Sequence, residues 1–164
     1  MEDGSGAEAS EAAGGGYDSR GDTLAHIHRV RDHIGTFVAG ILARGAAHDA
    51  SKLSEPEKSA FDRLLPLLRG VPYGSAEFET LEASMAPALA HHYRANAHHP
   101  EHYEGAGLAG MDLFDVVEMV CDWMAAAERH PADGVRLNLN AAKFGMEPQL
   151  AAIIANTLAR WPEG

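Results

Sequence analysis

Apolar side chains recur at helical spacing along much of the chain, one every three or four positions. The clearest stretch covers residues 23–44, where Asp22 or Thr23 is suited to cap a helix and Gly45 to end it. At about 100° per residue, its apolar side chains fall on one stripe. The stripe consists of Ile27, Val30, Ile34, Phe37, Val38 and Ile41. We therefore predict a first helix from Thr23 to Arg44, with this stripe facing the core.

The rest of the chain shows the same periodicity, interrupted by Gly- and Pro-rich stretches that predict loops. A short helix is expected from about Ala46 to just before Pro56, and a second one begins at Pro56. Longer helices are predicted for Ala76–Ala97, with Pro87 kinking or splitting it, for Met111–Arg129 and for Pro148–Arg160. The intervening loops are 69–75, 98–110 and 130–134. Because no stretch alternates with the period of a strand, we predict an all-α, compact single-domain helical bundle.

Composition separates a leader from this bundle. Residues 1–22 are rich in Gly, Ala and Ser and hold six acidic residues against one arginine, so they are predicted to be a disordered leader before a helical domain over 23–164. The net charge of −11 argues against nucleic acid as a partner. Apolar runs are too short for a membrane span, no signal peptide is evident, and Cys121 is the single cysteine, so a cytoplasmic location is expected. Whether the protein forms a homodimer is left open by the sequence.

Histidine is the residue type that points to chemistry, since the chain has ten. In the adjacent pair His48-Asp49, a neutral imidazole stands beside a carboxylate, a combination that suits Zn, Fe or Mn. On the first helix, His26 and His33 are seven residues apart and share the edge of the apolar stripe, whereas His28 points the opposite way. His26 and His33 are therefore candidate ligands, and His28 is expected to be solvated.

The most unusual stretch is residues 90–102, which has five histidines within twelve residues. His92, Asn96 and His99 continue the apolar face of the preceding helix, and His91 and His98 lie on its flank. Packing alone does not explain so many histidines. The alternative is a solvated His-rich loop that binds metal adventitiously.

A second set of polar residues lies on the helix predicted for 111–129. Asp115, Glu118 and Asp122 are aligned on one side of it, but apolar side chains flank them. A helix that is apolar nearly all round is usually buried, and a buried carboxylate needs a cation or a metal. We expect this acidic row to be functional rather than a wet face.

Together these segments resemble the HD-domain superfamily of metal-dependent phosphohydrolases, and most closely a small bacterial and phage branch of it. Three motifs support the resemblance: His-Asp-x-Ser-Lys at 48–52, His-His-x3-Asn-x-His-His at 91–99, and Val-Glu-Met-x-Cys-Asp-Trp at 117–123. The segment 47–57 is also similar to the nucleoside 5′-monophosphatase branch. The resemblance spans about residues 23–160 and implies a helical fold with a metal site.

The resemblance also implies roles for residues. The metal ligands would be His48, Asp49 and Asp122, with His26 as the first histidine, or His33 in its place, and Asp115 as an alternate. His92 and His99 would bind a second metal or donate to phosphate. Catalytic roles would fall to Asp49, Lys52, Glu57 and Glu118, and substrate-binding roles to Lys52, Arg94, Asn96, His91 and His98.

The implied activity is hydrolysis of a small anionic phosphate ester, such as a nucleotide, with one or two divalent ions of Mn, Co, Zn or Fe as cofactor. Two alternatives stay open. The histidine block would also permit an HD-type di-iron oxygenase, which metal content and oxygen uptake would reveal. A non-catalytic domain that binds a nucleotide or a protein partner is the other.

Overall fold

The computed structural model describes residues 17–68, 70–71, 75–128 and 134–162. These residues form seven α-helices and three short 3₁₀ helices and include no strand, which confirms the all-α fold class. The α-helices are α1 (Arg20–Ala47), α2 (Glu57–Leu68), α3 (Ala76–Ser84), α4 (Ala86–Ala95), α5 (Leu113–Glu128), α6 (Leu137–Phe144) and α7 (Pro148–Leu158). The 3₁₀ helices are Ala50–Leu53, Pro100–His102 and Gly107–Gly110. None of the helices in the described ranges combines the length and hydropathy needed to cross a bilayer.

The chain divides into two units, residues 1–37 and 38–164, and the division falls within α1. In the first unit α1 begins at Arg20, so residues 20–22 of the predicted leader are helical, and positions 1–16 lie outside the described residues. In this unit, the prediction that the apolar stripe of α1 faces the core is wrong. Ile27 is 44% exposed and Ile34 58%, and no residue of α1 is buried.

The second unit holds the hydrophobic core. Its largest cluster joins Met119 and Val120 of α5 to Met146 and to Ile154 of α7. A second set of buried residues, Leu64, Met85 and Ala88, lies where α2 contacts α4. Burial of these side chains fixes α5, α4 and α2, which supply several of the polar residues described below.

Several helix boundaries differ from the prediction for local reasons. Pro87 splits the expected 76–97 helix, because α3 ends at Ser84 and Pro87 occupies the first turn of α4. α1 continues past Gly45 to Ala47, and a 3₁₀ turn replaces the separate helix expected from Ala46. The sequence pattern missed α6, an eight-residue helix that ends at Gly145 with a φ of 60°. Most of the predicted turn at 130–134 lies outside the described residues, as does most of the predicted loop at 69–75.

Candidate metal centre

Four segments of the second unit bring histidines and carboxylates together. His48 and Asp49 follow the end of α1, His92 lies on α4, His98 and His99 lie in the turn after α4, and Asp122 lies on α5. Asp49 has a φ of 56°, the only positive φ of a non-glycine residue in the described part of the chain. This left-handed conformation is uncommon for non-glycine residues, although aspartate adopts it more readily than most, and such residues are concentrated at functional sites.

Asp49, His92, His98 and His99 form the largest such group among the described residues, with one potential ligand atom from each within 4.8 Å of the others. Asp49 Oδ1 lies 3.3 Å from His92 Nε2 and 3.6 Å from His98 Nε2. The Nε2 atoms of His92 and His99 are 2.8 Å apart. His92 and His98 are each only 2% exposed. Three imidazole nitrogens and one carboxylate oxygen therefore converge where two of the four side chains are buried.

Two of these converging atoms have no hydrogen-bond partner although they are buried: Asp49 Oδ1 and His98 Nε2. Such buried polar atoms are costly unless something binds them. Burial lowers the pKa of His99 to about 3, and it also lowers the pKa values of His92 and His98. These imidazoles are therefore neutral at pH 7, the form in which histidine coordinates a metal. The donor set fits Zn, Fe, Mn or Co.

A second group shares Asp49 with the first. His48 Nε2 lies 3.6 Å from Asp49 Oδ2 and 3.6 Å from Asp122 Oδ1, and these three side chains also satisfy the spacing of a metal site. Although burial raises the pKa of Asp49, the Lys52 ammonium, 2.6 Å from Oδ2, holds it below its usual value. Asp49 is therefore an anion that faces both groups, one with each oxygen.

Glu118 supports the centre from α5. Its Oε1 atom lies 2.9 Å from His48 Nδ1 and 3.1 Å from His98 Nδ1, and its Oε2 atom accepts a 2.9 Å hydrogen bond from Arg44 Nε. Glu118, His48 and His98 also satisfy ligand spacing. Both Glu118 oxygens are already engaged, however, and the hydrogen bond to His48 Nδ1 and the contact with His98 Nδ1 leave each Nε2 on the side of Asp49. Glu118 thus resembles the outer carboxylates that orient metal-binding histidines.

Glu57 has the same relation to two other histidines. It is fully buried, and its two oxygens lie 2.7 Å from His91 Nδ1 and 2.9 Å from His92 Nδ1. Ser51 Oγ donates to it at 3.0 Å, and Asn96 Nδ2 donates to Ser51 Oγ at 2.8 Å. Although burial raises the pKa of Glu57, the bond from His91 and those from Ser51 and His92 keep it low. Glu57 thus favours the His92 tautomer with its proton on Nδ1, in which the Nε2 lone pair faces His99 and the candidate metal position.

Asp115 serves a structural purpose in the acidic row of α5. It is 2% exposed, forms an ion pair with Arg44, and accepts a 2.5 Å hydrogen bond from the Tyr103 hydroxyl. Its Oδ2 atom also accepts from the Asp112 backbone N–H, and its own backbone N–H donates to Asp112 Oδ1 at the start of α5. Within the row Asp115 is buried and Glu118 and Asp122 are partly buried, and the cation that compensates Asp115 and Glu118 is Arg44. Asp115 is absent from the ligand groups formed by the described residues, so its role as an alternate ligand finds no support.

The structure therefore brings together His48, Asp49, Asp122, His92 and His99 from the predicted ligand set. It adds His98, which was expected to bind substrate. His26 and His33 are exposed on α1 in the first unit and belong to none of the ligand groups of the described residues, so neither has the inward position predicted for a first ligand. Arg94 is exposed on α4.

Sequence reasoning missed three supporting residues: Arg44, Ser51 and Tyr103. Arg44 had a detectable signal, because it lies seven residues after Phe37 and three after Ile41 and so interrupts the apolar stripe with a cation. Ser51 belongs to the His-Asp-x-Ser-Lys motif but had been given no role. Nothing in the sequence singled out Tyr103.

Comparison with known proteins gives a family without an assigned activity. Residues 16–160 match the model of a family described as "Family of unknown function (DUF5662)". The chain belongs to this family. No curated protein and no solved structure matches it significantly. The geometry of the centre is thus the main basis for any statement about activity.

Proposed function

We propose that this protein is a metal-dependent hydrolase of small phosphate esters, of the HD-domain type that its motifs resemble. The observation that supports the proposal is the pair of buried atoms without partners, Asp49 Oδ1 and His98 Nε2, at the point where the Nε2 atoms of His92 and His99 converge. A divalent ion would satisfy all four atoms, whereas protons would satisfy only some of them.

The charges around the centre favour the same interpretation. Four carboxylates surround or support it, against two cations, Lys52 and Arg44, the second of which is engaged by Asp115 and Glu118. These four are Asp49, Glu57, Glu118 and Asp122. A phosphate dianion would be repelled by this excess of negative charge. One or two divalent ions would cancel or invert it, which is how metal sites in proteins commonly admit anionic substrates.

Several side chains of the centre can contribute to hydrolysis, each in a different role. Lys52 Nζ contacts Asp49 Oδ2, and the Lys52 side chain is 36% exposed. This side chain can therefore turn to a phosphate oxygen without leaving the centre. Asp49 Oδ1 can accept a hydrogen bond from an attacking water. Glu57 and Glu118 hold the histidines in position. A bound divalent ion would supply charge neutralisation and lower the pKa of water toward about 7.

The reaction balances with water as the only co-reactant. An oxygen of water forms a bond to phosphorus while the bond from phosphorus to the ester oxygen breaks. The alcohol leaves with one proton and inorganic phosphate retains the other. Most of the rate enhancement in such a reaction comes from positioning and electrostatics, for which a rigid, buried set of donors is suited.

The test is phosphate release from a panel of phosphomonoesters by the full chain, after removal of metal and reloading with Mn²⁺, Co²⁺, Zn²⁺ or Fe²⁺. We expect Asp49→Asn to lose at least about 100-fold in rate, together with bound metal, because an outer-shell change alone costs 10–100-fold. His28→Ala changes an exposed histidine of the first unit and should match the wild type. Equal rates for Asp49→Asn and the wild type would contradict the proposal.

A di-iron oxygenase is the second candidate, and one observation favours it. The two groups that share Asp49 contain four histidines, more nitrogen donors than a single ion requires. Two irons per chain with substrate-dependent oxygen uptake and no phosphate release would favour the oxygenase. Ligand binding with neither activity would favour a non-catalytic domain.

A further inference from the structure

A small cavity adjoins the candidate centre on the side of α1 and α5. It is partly open to solvent and has a volume of about 250 Å³. Its wall is formed by Ile41 and Gly45 of α1 and by Val117, Cys121 and Ala125 of α5. On α5, each of these three residues is four positions from the next, so they follow one another along a single face of the helix.

The polar residues that border the cavity all belong to the centre: His48, Glu118 and Asp122. Glu118 has both oxygens engaged, and His48 Nδ1 is bonded to it. The groups left to face a ligand are thus His48 Nε2 and the Asp122 carboxylate, which are themselves candidate metal ligands. A ligand whose head lies at the centre would meet an apolar wall beyond it.

We infer that this cavity holds the organic part of the substrate, and that this part is compact and apolar. The inference rests on the proposed function, since the phosphate would be held at the centre. A ribose in the cavity would give up hydrogen bonds to water, and the aliphatic wall offers none in return, which disfavours it. An alkyl or aryl group would release water from apolar surface instead. The substrate class is therefore a phosphate monoester of an apolar alcohol rather than a nucleotide.

Cys121 makes the inference testable without turnover. It is the single cysteine of the chain, it is exposed, and it lines the cavity. Its rate of alkylation by iodoacetamide therefore reports whether the cavity is filled. Phenylphosphonate and methylphosphonate are suitable probes, because they share an anionic head and differ in the apolar group.

With the Mn²⁺-loaded full chain, we expect phenylphosphonate to bind about 10- to 200-fold more tightly than methylphosphonate, the range that small apolar groups give in a fitting pocket. At saturation it should slow alkylation of Cys121, whereas methylphosphonate should not. Ala125→Leu should fill the cavity and remove the preference while methylphosphonate affinity is retained. Ala152→Leu, an equivalent change at an exposed site on α7, should keep the preference.

The possible failures are distinguishable. Equal affinity for the two probes, binding of neither, or phenylphosphonate binding that leaves Cys121 alkylation unchanged would overturn the inference about the cavity, and phosphate release from other esters would still support the proposed function. Faster hydrolysis of adenosine monophosphate than of phenyl phosphate would also overturn the inference. Protection of Cys121 without hydrolysis of any ester would support the cavity and contradict the proposed function.

Discussion

The conformation of Asp49 explains how two adjacent residues face one site. Successive side chains on a helix point about 100° apart, so a His-Asp pair inside α1 would diverge. α1 ends at Ala47, and the left-handed φ of Asp49 turns the chain so that both side chains meet Asp122. The sequence predicted the pair and its partners from motifs, but it expected the pair at a helix start. The backbone reversal has only a weak signature in residue type, because aspartate adopts a left-handed φ more readily than most residues but does so at few positions.

Glu57→Gln tests whether the buried carboxylate positions His92. A glutamine has one acceptor oxygen and an amide donor, so it cannot accept from both His91 and His92 as Glu57 does. We expect His92 to change tautomer and to lose Nε2 as an acceptor. Metal affinity should fall by about 10- to 100-fold, measured by competition with a chelator.

Two further readouts separate positioning from a general structural role for Glu57. The absorption spectrum of bound Co²⁺ should change in Glu57→Gln, because the coordination by His92 changes. Glu82→Gln alters an exposed glutamate of α3 and should leave affinity and spectrum as in the wild type. A Glu57→Gln protein that is less stable but binds Co²⁺ with unchanged affinity and spectrum would show that Glu57 only supports the fold.

At the scale of the elements, an ion-pair brace joins the last turn of α1 to the first two turns of α5. Arg44 bonds to Asp115 and Glu118, and Tyr103 donates to Asp115. The acidic row and its burial followed from helical periodicity. The cation that meets it did not, because Arg44 is 71 residues from Asp115 in sequence and the packing of two helices fixes such pairs. Likewise, Pro87 signalled the break between α3 and α4, whereas the eight residues of α6 were too few for a clear period.

This brace predicts a pH dependence of stability. Although burial raises the pKa of Asp115, the bond from Tyr103 and the Arg44 cation hold it below its usual value. A carboxyl group with a depressed pKa contributes stability above its unfolded pKa of about 3.9, and this is lost as pH falls through the folded value. Asp115→Asn should therefore lower the free energy of unfolding by about 1–3 kcal/mol at pH 7, and the difference should shrink below about pH 4.

Urea unfolding of the metal-free protein between pH 3 and 8 would measure this difference. Asp62→Asn provides the control, because Asp62 pairs with Lys58 at 2.6 Å but both side chains are at least half exposed. Exposed pairs contribute little, so the free energy of unfolding of this variant should stay close to that of the wild type at every pH. A difference between Asp115→Asn and the wild type that stays constant down to pH 3 would contradict the assigned role of the Asp115 charge.

At the scale of the whole molecule, the sequence predicts a feature correctly when that feature follows from a local pattern. The all-α class follows from periodicity and composition, and it is confirmed. The division within α1 does not follow from periodicity and composition. The stripe of residues 27–41 is typical of a helix that faces a core, yet Ile34 is 58% exposed. The residues of the candidate centre were largely found because motifs concentrate them. Partner predictions, including a homodimer and the absence of nucleic acid, stay predictions.

The centre also connects segments far apart in the chain, from His48 near the end of α1 to Asp122 on α5. A metal that binds this folded arrangement and not the unfolded chain must stabilise the fold. At a free concentration 100 times the dissociation constant the gain is about 2.7 kcal/mol. For a domain of this size that raises the melting temperature by roughly 5–10 °C. Calorimetry with and without Mn²⁺ or Zn²⁺ should show the shift in the wild type and in His28→Ala, but not in Asp49→Asn. A shift of equal size in Asp49→Asn would mean that the metal binds elsewhere, for instance at the exposed histidines of α1, and that the buried group formed by Asp49 with His92, His98 and His99 is not the metal site.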